Sequence, residues 1–289
     1  MNNSDQKQPH DGLQSNIPLD VRIRLAHGMV DHVLSTAGIN ALHFKGYAAA
    51  NIFPAGRTST DVDVIVDPTH QRAALTALEN AGWTLVTSYT QGSIFQHAAS
   101  LWHHHLGYVD VHRMVPGFSA TPQEVFDILW PQRTTVHIAH YPCPSPAALD
   151  HILLILLHTA RDPHRGIHDA STIWATLDDT DKKHLRRRVL TLGAETPWKV
   201  ATNEDLGAHP DQVRLWTVLQ RGADRTTLLH ARMHAAHNLV DKTRLIASAL
   251  TVNRGHLRIS LGRTPTACDY AAEYRARIAS ALHRQGPAS

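Results

Sequence analysis

The stretch from Gly56 to Asp67, GRTSTDVDVIVD, sets two aspartates one residue apart at the head of an apolar run. In an extended strand, side chains at i and i+2 share a face, so Asp61 and Asp63 point together while Val62, Val64 and Val66 turn toward a core. Two carboxylates this close repel each other unless positive charge lies between them. Magnesium is the hard cation that suits oxygen ligands, and it shares its remaining positions with water and substrate phosphates. A two-metal phosphoryl-transfer centre commonly takes one further carboxylate from a neighbouring strand. GYVDVHR supplies a candidate: Val109 and Val111 alternate with Tyr108, Asp110 and His112, so Asp110 lies on the face away from its valines. If the two strands are neighbours, three acids converge. The competing reading is a loop-to-strand junction capped by solvated aspartates; Arg57, the Lys45-Gly46 pair and Asp110 weigh against it. His112 reads as a residue that packs at the strand end or braces a neighbour.

Elements must position these groups. PLDVRIRLAHGMVDHVLSTAG carries apolar residues at helical spacing and stops at Gly38. INALHFKG is a short β-type run, YAAANIF is helical in composition, and PAGRTST is a loop. DVDVIVD is a strand and PTHQRAALTALENAG a helix with proline in its first turn. WTLVTSY, SIFQHAA and HHHLGYVDVHRMV read as strands, TPQEVFDILW as a short helix and RTTVHIAHYP as a last strand. From CPSPAALD onward the pattern is almost wholly helical. The expected division is a disordered lead over 1–16, a sheet domain over 17–142 and a helical domain over 143–289.

With 289 residues and 43% apolar residues, the chain can bury a core without staples. Cys143 and Cys268 give neither a disulfide framework nor a zinc spacing, which suits a reducing cytosol. The polar N-terminal stretch lacks the apolar core of a signal peptide, and no run is long enough for a membrane span. A soluble cytoplasmic protein without membrane partners is the expectation. The net charge of +3 hints at an anionic ligand. The densest basic cluster, KKHLRRR over Lys182 to Arg188, reads as a solvated helix face rather than a polyanion site.

HFKGYAAANIFPAGRTSTDVDVIVD, YVDVH and LLHTARDPHRGIHDASTIWATL together resemble the uncharacterised bacterial nucleotidyltransferases of the DNA polymerase beta-like superfamily. Members carry a K-G pair, an R-x-x-x-D-x-D strand, a D-[LV]-H strand and a later H-x-x-R helix leading to an aspartate. The resemblance spans about residues 20–180. It implies an α+β fold, with a polymerase-beta-like mixed sheet, flanking helices and a C-terminal helical domain. It also implies transfer of a nucleoside monophosphate from an NTP, ATP among them, with Mg2+. Carried over, Asp61 and Asp63 would ligate both metals, and Asp110 would hold the catalytic metal and take or orient the acceptor proton. Lys45 and Gly46 stand where the superfamily usually has a Gly-Ser pair cradling the triphosphate. Arg57 would hold the triphosphate or brace its loop, and His158 and Arg161, with Asp169, match positions facing the nucleotide.

Other histidines invite over-reading. His103, His104 and His105 cannot all bind one ion, because adjacent strand residues point to opposite faces. His164 and His168 are four apart, but 23 histidines make such pairs common by chance. No GxSxG elbow, P-loop or GxGxxG turn is present, so serine hydrolase, P-loop kinase and dinucleotide oxidoreductase readings have no support. The acceptor is expected to be a hydroxyl or phosphate on a small molecule or peptide, with nucleic acid less favoured. The alternatives are a toxin-like nucleotidyltransferase acting on tRNA and a nucleotide-binding module without turnover.

Overall fold

The structure, a computed structural model, describes residues 17–50, 52–53, 59–89, 95–162, 164, 166–223, 225–235, 242–243, 252, 257, 261 and 263–282. The expected N-terminal lead over 1–16, and Arg57 with its loop, lie outside the described residues.

Helix α1 (Leu19–Thr36) buries one apolar stripe, Ile23, Ala26, Val30 and Leu34, and Gly38 follows it at φ 70°. Strands β1 (Ala41–Phe44), β2 (Asp61–Val66), β3 (Thr84–Thr87), β4 (Ala98–His103) and β5 (Gly107–His112) form one sheet in the order β1-β2-β5-β4-β3. Only β2 and β5 run parallel; the other neighbours are antiparallel. Parallel neighbours need a long connection. Here it runs through α2 (Gln71–Asn80) to the far edge, and β3, β4 and β5 then return to the centre.

The side-chain period of two gives the sheet two different faces. Val62, Val64, Val66, Val109 and Val111 pack with α1 and with Ala74 and Leu78 of α2. Leu42, Phe44 and Ile65 face the other way, into a core shared with helices of the second half. Those helices are α3 (Pro122–Leu129), α4 (Ala148–Thr159), α5 (Gly166–Thr176), α6 (Asp179–Leu192) and α7 (Glu195–Thr202); α8 (Pro210–Gln220), α9 (Arg225–Ala235) and α10 (Ala267–Leu282) follow. The fold is α+β, a mixed sheet between two helical layers. No helix among the described residues is long and apolar enough to cross a membrane.

Three elements differ from the sequence reading. The strand read at SIFQHAA begins only at Ala98 and runs on to His103. YAAANIF forms only a 3-10 turn over Gly46–Ala49 within its described part. RTTVHIAHYP is a hairpin instead of one strand: β6 (Thr134–Ile138) turns at Ala139 and His140, at φ 50° and 65°, into antiparallel β7 (Tyr141–Ser145). Two successive residues at positive φ are what a two-residue hairpin turn of the twisted sheet needs. Pro142 and Pro144 alternate along β7, so their missing N–H groups share one edge, the one without a ladder partner. The division expected after residue 142 therefore falls inside β7. The basic cluster lies in α6, where Leu185, Val189 and Leu192 are buried, Arg188 pairs with Asp150 (2.8 Å) and Arg186 with Glu204 (2.7 Å).

Leu157 of α4 is fully buried in the core that sheet and helices share. Leu157→Ala is expected to cost about 2–5 kcal/mol, read as an earlier urea midpoint; a loss under about 1 kcal/mol would mean that this face is loosely packed.

Candidate active site

The register of β2 on β5 sets Asp63 directly beside Asp110, with Asp61 beside Tyr108. Antiparallel pairing adds Phe44 of β1 and Ser100 of β4, so Phe44, Asp63, Asp110 and Ser100 form one row across four strands. The expected convergence of carboxylates on one face is therefore present. It sits on the face that carries Leu42 and Ile65, at the end where α4 finishes.

Each carboxylate has a different environment. Burial alone would raise Asp63, but the Lys45 ammonium and the His112 hydrogen bond outweigh it and hold this carboxyl well below the usual range. Lys45 Nζ donates to Asp63 Oδ1 at 2.8 Å, and His112 Nε2 donates to the same oxygen at 2.6 Å. Asp61 is pushed up to about 7 by burial and by the negative charges of Asp63 and Asp110. Asp110 rises for the same two reasons, burial first and Asp63 second, although Ser100 Oγ donates to its Oδ1. Like charges crowded in a poorly solvated corner cannot all ionise, and the carboxyl with the cation beside it does so first.

Lys45 is fixed from behind. Its φ of 61° is unusual for a residue with a side chain, and its backbone N–H donates to His151 Nε2 of α4 at 3.1 Å. His151 Nδ1 in turn meets Ser145 Oγ of β7 at 3.2 Å. Burial pushes His151 down to about 4, so the ring is neutral and accepts at Nε2 while Nδ1–H donates. Gly46 lies against Ser59: a Cβ there would stand 2.5 Å from Ser59 Oγ. Ser59 Oγ donates to the Asp61 carbonyl at 2.8 Å, tying this turn to the start of β2.

The helical half adds the expected His158 and Arg161. Burial lowers Arg161 to about 10, while Asp63, Asp162 and Asp110 pull it up, so it stays charged beside the carboxylates. Its Nη2 donates to His97 Nε2 at 3.2 Å, and its guanidinium lies 5.7 Å from the Phe95 ring centre. His158 is lowered by burial, then by Lys45 and Arg161, and its Nδ1 is buried without a hydrogen-bond partner. His97 is driven down to about 2 by burial and by Arg161, and its ring lies 5.0 Å from that of His112. His112 Nδ1 is likewise buried without a partner, so the ring is the neutral Nε2–H tautomer. The surroundings thus contain two cations and several neutral imidazoles.

Among the described residues, one group of three metal-capable side chains has its ligand atoms within 4.8 Å of one another: Asp63, Asp110 and His112. The carboxylate oxygens of Asp63 and Asp110 are the hard donors that magnesium takes, so this pair fits that ion, while Asp61 shares their face but lies outside the 4.8 Å group. His112 already spends its Nε2 on Asp63, which makes it an orienting group for that carboxylate. The other histidine patterns resolve differently. His103 Nδ1 accepts N–H bonds from His105 and Leu106, both at 3.2 Å, and caps the β4–β5 turn. His164 lies in a turn before α5 and His168 within α5, so they share no helix face.

Residues 20–203, more than half of the sequence, match the family described as uncharacterised nucleotidyltransferases. The chain belongs to that family. No curated protein matches this nucleotidyltransferase. Among solved structures it is similar to the lincosamide antibiotic adenylyltransferase LnuA with lincomycin bound, at 15% identity over 56% of this chain and 92% of that one, TM-score 0.33. An antigenic nucleotidyltransferase-like protein from Paracoccidioides brasiliensis matches at 12% identity over 64% and 96%, TM-score 0.38. The antibiotic-resistance factor ANT(2'')-Ia matches at 12% identity over 58% and 93%, TM-score 0.37.

His151, Ser59, Ser100 and His97 lie around the carboxylate centre and carried no signal in the sequence. Two measurements probe this arrangement. Between about pH 4, where an unfolded aspartate loses its proton, and about pH 7, folded Asp61 keeps one that the unfolded chain lacks, so its contribution to stability falls as pH rises. A cation on Asp61 must displace that proton. Manganese affinity by calorimetry is therefore expected to climb with pH below about pH 7 and to level off above it; a flat profile between pH 5 and 7 would show Asp61 already ionised. Gly46→Ala would drive Ser59 off the Asp61 carbonyl, with an expected loss of about 1–3 kcal/mol in thermal unfolding.

Proposed function

We propose that the chain transfers a nucleoside monophosphate from an NTP to an acceptor hydroxyl or phosphate, releasing pyrophosphate and depending on magnesium. The observation that supports this most is the row pairing Asp63 with Asp110 on parallel neighbouring strands, with Asp61 on the same face. Asp61, Asp63 and Asp110 would hold the magnesium, which supplies positive charge against the triphosphate and the developing negative charge. The acceptor oxygen attacks the α-phosphorus, the bond from that phosphorus to the bridging oxygen breaks, and pyrophosphate leaves with the electron pair. Asp110 takes or orients the proton that the acceptor loses. Arg161 and Lys45 add fixed positive charge beside the carboxylates, and most of the rate enhancement is positioning and charge neutralisation.

A small molecule or peptide is favoured as acceptor over RNA. The basic residues of α6 that could have formed a polyanion strip are partly consumed internally, Arg186 by Glu204 and Arg188 by Asp150. RNA affinity draws mainly on unpaired basic side chains aligned along a surface.

Incubation with labelled ATP, magnesium and an acceptor panel that includes tRNA tests the proposal by pyrophosphate release and label transfer. Asp63→Asn keeps an acceptor for His112 but removes the charge, and is expected to lower transfer by at least about 100-fold with an unchanged circular dichroism spectrum. Full activity in that variant would contradict the assignment, and binding without transfer to any acceptor would favour a nucleotide-binding module.

A further inference from the structure

We infer that the Lys45 ammonium is a built-in cation occupying the place of a second metal, so that the carboxylate centre takes one divalent ion. This rests on the metal-dependent transfer proposed above. A carboxylate that bridges two metals about 4 Å apart offers one oxygen to each. Asp63 cannot do so in this arrangement, because Oδ1 already accepts from Lys45 Nζ at 2.8 Å and from His112 Nε2 at 2.6 Å. An oxygen has two lone-pair directions, and both are taken. Oδ2 is left for a single ion, shared with Asp110 across the parallel register.

Lys45 is built into this position rather than reaching it from the surface. Its side chain is only 16% exposed, and Nζ also lies 4.7 Å from the Phe44 ring centre. The backbone beneath it is pinned by the Lys45 N–H bond to His151 and by the close fit of Gly46 against Ser59. His112 closes the other side of Oδ1 and is itself buried to 1% exposure. A divalent ion entering on Oδ1 would have to expel an ammonium and break a buried hydrogen bond, whereas an ion on Oδ2 disturbs neither.

Manganese titration followed by electron paramagnetic resonance reads the count directly, with the metal alone as probe. The wild-type chain is expected to bind one Mn2+ with an uncoupled six-line spectrum. Lys45→Met, which keeps the length of the side chain without its charge, is expected to bind two, with spin coupling between them, while Lys45→Arg stays at one. Two ions on the wild type, or a Lys45→Met protein that stops at one, would overturn the inference. If Lys45→Met fails to fold by circular dichroism, the wild-type and Lys45→Arg counts decide. Pyrophosphate release by the wild type is measured alongside: release with two ions bound overturns this inference alone, and one ion without transfer to any acceptor overturns the transfer reading alone.

Discussion

Mutual repulsion of carboxylates is the constraint around which this molecule is arranged. Asp61, Asp63 and Asp110 share one face of the sheet in a corner with little water, and three negative charges there would drive the strands apart. The chain resolves this unevenly. One carboxyl is held ionised by an ammonium and an imidazole, and the other two retain protons more readily because of it. The parallel register of β2 and β5 is what makes the acids neighbours. A slip by one residue would send Asp110 to the valine face and a valine into the site.

The rest of the sheet serves that register. Valines on the opposite face are buried against α1 and α2, which gives the two central strands one way to pair with their apolar side inward. Behind the acids, the imidazoles of His97, His112, His151 and His158 are kept neutral by burial, so they add hydrogen-bonding capacity without more positive charge. The charge that remains comes from Lys45 and Arg161. These approach from opposite halves of the sequence, one from the turn after β1 and the other from the end of α4.

Much of this was legible in the sequence, for identifiable reasons. A D-x-D at the head of a valine strand and an aspartate alternating with valines on another strand signal both conformation and face, because the period of two is a property of extended backbone. Their adjacency was not encoded locally, since pairing between β2 and β5 joins segments nearly fifty residues apart in the chain, as Asp63 and Asp110 show. The β6–β7 hairpin escaped because Ala139 and His140 adopt positive φ without the glycine or asparagine that usually marks such a turn. Ser100 and His97 became visible only once the β4 register was known. His151 reads as one more histidine on an apolar helix; its importance comes from a contact spanning 106 residues of sequence.

That long-range contact has an architectural consequence. A single imidazole on α4 props the main chain of Lys45 in a conformation it would otherwise avoid, and the same ring leans on a serine of β7. Lys45 and the helical layer are therefore one mechanical unit. A chimera that joined this sheet to a foreign set of helices would inherit every acid of the centre yet leave its ammonium without a foundation.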